Sequence, residues 1–142
     1  MSKKYFSVEE AEEILPEIER KIRKLSELNE KIMFLRGVKI NNSIDGIENA
    51  LAVAELNKNL HLASFEFFRE MEELIKLGCI VKDVEKGGVD FFSKLGERDI
   101  FLCWKLGETK IQYWHEIEKE RALRQPIEIV KKEYEKELEQ FR

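Results

Sequence analysis

At Cys79 the apolar residues of this chain change from helical to alternating spacing, and that switch fixes a helical half followed by a sheet half. Upstream, Ser7 with Glu10 forms a capping box, and Phe6 is placed to staple onto Ala11, so a first helix is expected to begin at Val8. Ala11, Ile18, Leu25 and Ile32 recur every seven residues, with Ile14, Leu15, Ile22, Leu28 and Leu35 between them. This is a coiled-coil-like seam running to about Arg36, and Pro16 inside it is expected to kink the helix. Gly37 to Ser43 reads as a loop, and Asp45 with Glu48 repeats the capping logic for a second helix ending at Leu77, with Gly78 as its left-handed cap. Residues 7–77 are therefore expected to form a long antiparallel α-helical hairpin. Its second helix carries two apolar rows, one through Ile47, Ala54, Phe68 and Ile75 and one through Val53, Leu60, Phe67 and Leu74. One row can face the first helix while the other faces something else.

Downstream, CIVKDVE, GVDFF, DIFLCWKL and TKIQYWHE are β-rich runs separated by Lys86-Gly87-Gly88, Lys94-Leu95-Gly96-Glu97 and Gly107-Glu108. They predict a small three- to four-stranded antiparallel β-meander over residues 79–117. With Gly107-Glu108 as a two-residue turn, Trp104 opposes Ile111, Leu102 opposes Tyr113 and Ile100 opposes His115, while Phe101 opposes Trp114 on the other face. Pro126 suits the first position of a C-terminal helix over 126–141, whose stripe is Ile127, Val130, Tyr134, Leu138 and Phe141. The fold class is α+β, in a single domain over residues 1–142.

A chain of 142 residues supports one core, and 43% hydrophobic with 38% charged residues places it among globular proteins. Lys and Arg number 25 and Asp and Glu 29, a net charge of −4 that disfavours bulk binding to nucleic acid or anionic membranes. No run approaches the roughly 20 apolar residues of a membrane span. The N-terminus turns acidic where a signal peptide would be apolar, and Cys79 and Cys103 are too few for a disulfide framework, so a cytoplasmic location with reduced thiols is expected. Glu occurs 25 times and Lys 17 times against 3 Gln, a thermophile-like bias.

The segments Lys82-Asp83, Gly88-Val89-Asp90-Phe91, Leu102-Cys103-Trp104, Gly107-Glu108, Trp114-His115 and Arg124-Gln125-Pro126 together resemble an uncharacterised prokaryotic family, domain of unknown function 2203. The opening YFSVEEAEEILP is similar to that family's N-terminal segment. The resemblance implies a small cytosolic protein and carries no activity with it. Phe92 stands where the family tends to have proline, and Glu120-Arg121-Ala122-Leu123 replaces a glycine-rich approach to Arg124.

Among residues able to carry chemistry, Asp83 and Asp90 flank the first hairpin. With Lys86-Gly87 as its turn they oppose each other, and with Gly87-Gly88 Glu85 opposes Asp90; either places two acids across a strand pair. Such a pair can hold a divalent cation, or it can be a solvated tip screened by Lys82 and Lys86. His115 at the end of the last strand reads as a general base or metal ligand, or else as a half-buried, hydrogen-bonded histidine. Cys103 reads as a nucleophile assisted by Lys105 or as a packing thiol, and the cysteines and histidines lack the paired spacing of a structural zinc site. His61 and Asn29 interrupt apolar rows in the way residues that set register do. Two functions follow. The first is a homo-oligomeric interaction or scaffold protein, most simply a dimer, because the helices and sheet carry more apolar surface than one small domain hides. The alternative is a small metal-dependent or acid/base enzyme, or an anionic-ligand-binding protein. Its site would combine Asp83 and Asp90 as metal ligands, His115 as base, and Arg124 and Lys82 as ligand-binding cations.

Overall fold

The computed structural model describes residues 3–38, 46–118 and 123–140. Along the chain these form α1 (Val8–Arg36), α2 (Ile47–Leu77), β1 (Cys79–Asp83), β2 (Gly88–Leu95), β3 (Arg98–Lys105), β4 (Tyr113–Glu116), β5 (Gln125–Pro126) and α3 (Glu128–Gln140). The sheet is antiparallel in the order β1-β2-β3-β4-β5, so the meander has one short strand more than the repeating turns suggest, and α3 begins two residues after Pro126. The expected Asp45 cap and Phe141 lie outside the described residues.

The first helix starts where its capping box stands: the Glu10 N–H donates to Ser7 Oγ at 3.1 Å, and the Ser7 N–H donates to Glu10 Oε1 at 3.1 Å. Its seam is buried as the heptad spacing requires, with Ala11, Ile18, Ile22 and Leu25 wholly shielded from solvent. The second helix turns the row of Phe67 and Leu74 inward and leaves Ile47, Phe68 and Ile75 exposed. Lys21 joins the two helices, hydrogen-bonded to Glu73 and 3.6 Å from Glu70. Gly78 ends α2 at φ +100°, the left-handed cap that lets the chain turn into β1. Among the described residues no helix is long and apolar enough to cross a membrane.

Alternation gives the sheet two faces. Val89, Phe91, Ile100, Leu102, Trp104 and Trp114 form the inner face and share one core with α1. Two long-range hydrogen bonds hold that layer in place: the Ile111 N–H donates to Glu12 Oε1 at 3.3 Å, and Ser93 Oγ donates to the Phe6 carbonyl. Beside Phe92 the N-terminal segment extends the sheet edge, with an isolated parallel bridge at Tyr5 and a 2.7 Å hydrogen bond from the Phe6 N–H to the Phe92 carbonyl.

Two expected registers are corrected. The first hairpin pairs Ile80 with Asp90 and Val81 with Val89, then shifts so that Asp83 meets Gly88; the two acids are not opposite each other. The reason is a four-residue connection with a bulge instead of a two-residue turn, held by the Lys86 N–H donating to Asp83 Oδ1 at 3.0 Å. Between β3 and β4 the connection spans residues 106–112, so Leu102 meets Trp114, Phe101 meets His115 and Cys103 meets Tyr113. Each pairing is one residue away from that of a two-residue turn, and a slip of one residue moves a side chain to the other face. His115 therefore leaves the face of Ile100 and joins that of Cys103.

Candidate functional site

The outer face is ordered in cross-strand rows. One row runs Ile80, Asp90, Cys103 and Tyr113 across β1 to β4, and the next runs Phe92, Phe101 and His115 across β2 to β4. Asp90 and Cys103 are thus direct neighbours, with His115 diagonal to Cys103. All three are buried, at 0%, 1% and 4% exposure, although two of them carry strongly polar groups. Cys103 Sγ lies 2.6 Å from His115 Nδ1, and His115 Nε2 lies 3.6 Å from Asp90 Oδ2. One donor atom from each residue falls within 4.8 Å of the other two.

Aromatic rings and two cations frame the cluster. Phe92 and Phe101 have ring centroids 4.8 Å apart, and Phe101 and His115 5.3 Å apart, so the imidazole ends a short aromatic ladder. Lys82 Nζ sits 5.4 Å from the Phe101 centroid, and the Arg124 guanidinium carbon 4.4 Å from the Tyr113 centroid. Burial pushes the Cys103 thiol up to about 12 against the opposing pull of Arg124, and burial also holds the His115 imidazole below its usual range, helped by the Lys82 charge. Both shifts favour the neutral forms, a thiol beside an uncharged imidazole.

Of the residues singled out in the sequence, Asp90, His115, Lys82 and Arg124 come to this face, whereas Asp83 serves the hairpin connection. Cys103 is the member that spacing does not place here, since its contact with His115 depends on the length of the 106–112 connection. Its position inside the Leu102-Cys103-Trp104 segment, one of those that carry the family resemblance, was the available signal. Two surface grooves lie elsewhere: one contains Ser7, Glu12, Val130 and Tyr134, the other Arg98, Asp99 and Glu116.

Chemically the arrangement can act in two ways. An imidazole between a thiol and a carboxylate is the layout of a nucleophile, its base and the group that orients the base. The same thiol, imidazole and carboxylate are the donors a transition-metal ion of the zinc class accepts, three from the protein with a position left open. The 3.6 Å N···O separation involves His115 Nε2 and the 2.6 Å S···N contact involves Nδ1, so a single ion would take one of these nitrogens and the thiol or the carboxylate would have to turn toward it.

The fold and cluster define an α+β protein with a buried Asp/Cys/His centre on the outer face of a five-stranded antiparallel sheet. The chain belongs to the family of uncharacterised conserved proteins DUF2203, whose model matches residues 4–127. That match spans both long helices and all five strands. No curated protein and no solved structure matches the chain.

Proposed function

We propose that this protein is a metal protein in which Asp90, Cys103 and His115 hold one divalent ion of the zinc class, leaving a coordination position for a small molecule. The observation that carries this reading is the convergence of three buried donor atoms within 4.8 Å. The protonation of the thiol favours it over the metal-free relay. Burial pushes the Cys103 thiol well above its usual range, which disfavours the thiolate that a metal-free nucleophile needs. A coordinating ion would hold Cys103 as its thiolate, with His115 and Asp90 as the other two donors. The divalent cation expected at Asp83 and Asp90 is thereby reassigned: Asp90 stays, Cys103 and His115 replace Asp83, and His115 serves as ligand. A thiolate in the donor set selects zinc-class ions over Mg²⁺.

The test is metal content and thermal stability after chelation and reloading. Zn²⁺ is expected to bind one per chain and raise Tm, and Cys103→Ser, Asp90→Asn and His115→Ala are each expected to abolish that rise. Folded wild type that takes up no Zn²⁺, Co²⁺ or Mn²⁺ would refute the reading. A protein keeping two reduced thiols fits the cytosol.

A second reading, homo-oligomeric assembly, is supported by one face of α2, on which Ile47, Leu51, Phe65 and Phe68 are each more than 60% exposed. Sedimentation at micromolar concentration tests it. An oligomer dissociated by Phe65→Glu with Phe68→Glu supports the reading, and a wild-type monomer ends it.

A further inference from the structure

We propose that Lys82 and Arg124 make the mouth of an oxyanion site above the Asp90, Cys103 and His115 centre, and that the small molecule taken there carries a carboxylate or phosphate group. The placement of the two cations carries this. Lys82 starts on β1, and its ammonium reaches the ring of Phe101, the cross-strand neighbour of His115. Arg124 comes from the opposite edge, just before β5, and stacks on Tyr113, the cross-strand neighbour of Cys103. The cations thus approach the cluster from two sides of the sheet.

Both also differ from the six described cations that pair with acids, and resemble Lys3 and Lys4, which lie over Phe92 and Phe6. Lys21, Arg23, Lys58, Lys76, Lys94 and Arg98 each have a carboxylate within 4.0 Å. Among the described residues Lys82 and Arg124 pair with no carboxylate and lean on aromatic rings instead. A guanidinium held over an aromatic ring still offers its N–H donors as a planar fork, the geometry that binds a carboxylate or phosphate through two parallel hydrogen bonds. In a chain of net charge −4, Lys82 and Arg124 bring two positive charges toward a centre that holds one carboxylate, Asp90. Both side chains are exposed, so their ends are free to turn toward an incoming anion.

The inference rests on the metal reading only for the deep end of the site, where the ion's open position would meet one oxygen of the anion. The experiment is calorimetric titration of zinc-loaded and chelator-stripped protein with inorganic phosphate and with acetate. Zinc-loaded wild type is expected to bind at least one of these anions, with affinity about tenfold weaker in Lys82→Gln and in Arg124→Gln, since each removes one charge-assisted contact. Arg98→Gln, at the groove beside Glu116, is expected to leave it unchanged. Equal, Arg124-dependent binding by stripped protein supports the anion site and overturns the contact between anion and ion, while the metal reading itself falls only with absent metal uptake. Zinc uptake without anion binding, anion binding that survives both substitutions, or a chain that binds neither zinc nor anion overturns the anion site.

Discussion

Gly87→Ala separates two costs that usually occur together. Gly87 has φ +74°, and a Cβ there would lie 2.6 Å from Leu106 Cβ and 3.2 Å from Ile22 Cγ2, all within the junction of hairpin and core. Left-handed backbone at a non-glycine residue costs about 1–2 kcal/mol. Forcing a methyl group into close-packed surroundings adds about 1–3 kcal/mol, because neither the Leu106 Cβ nor the helix carrying Ile22 can swing aside like a side-chain tip. Gly96 provides the control: its φ is +63°, yet a Cβ there meets nothing within 4 Å. Gly96→Ala should therefore show only the backbone cost, and Gly87→Ala should be less stable than it by about 1–3 kcal/mol, the packing share alone. For a chain of this size each kcal/mol moves Tm by roughly 2–4 °C, so the two variants should melt roughly 2–12 °C apart. Urea melts with unchanged m-values are the confirming measurement. Equal destabilisation of the two variants would show that the approach of Leu106 to Gly87 is not tight and that the reasoning from contact distance fails.

Removing the first helix cap with Ser7→Ala should cost about 1 kcal/mol by denaturant titration, and Ser7→Asp should recover most of it. The Asp99 carboxyl lies below its usual range, chiefly because Lys94 hydrogen-bonds it, with Tyr5 Oη as a second donor at 3.0 Å. Its contribution is then complete above the unfolded carboxylate range and is lost as pH falls through the lower folded value; Lys94→Ala should flatten the acid limb of a Tm-against-pH curve. Burial pushes the Cys79 thiol up to about 12 while it donates to the Leu74 carbonyl at 3.2 Å. Iodoacetamide should leave Cys79 unmodified in native protein at pH 8 and label it in urea, as read by peptide mass spectrometry; labelling at the rate of an exposed thiol would count against its burial.

The helical half was legible because its signals are local. Ser7 with Glu10, the recurrence from Ala11 to Ile32, and Gly78 each act within a few residues, and the structure uses each as that local chemistry predicts. The sheet half was legible in its strands but not in its registers. Those depend on how many residues each connection takes, and Gly107-Glu108 gives no sign that the chain continues to Gln112 before pairing again. Ile111 explains the longer path: it is buried in the core, and its N–H is taken by Glu12, a partner 99 residues away. The candidate site inherited the same error. Asp90, His115, Lys82 and Arg124 could be singled out by residue type, but the membership of Cys103 and the dismissal of Asp83 both turn on single-residue shifts that a distant contact or a bulge decides.

The inner and outer faces of the sheet differ in how far along the chain their partners lie. Cys103 and His115 are 12 residues apart, and the outer-face cluster is complete once β2, β3 and β4 have closed two neighbouring connections. Docking of the N-terminal segment and α1 on the inner face waits for contacts between residues 87 and 99 positions apart, Phe6 with Ser93 and Glu12 with Ile111. Short loops close at less entropic cost than long ones, so the meander should form before the first helix docks on it. A chain still emerging during synthesis would on this account assemble its Asp/Cys/His cluster from strands alone, while the helices made first remain undocked until the meander offers them a surface.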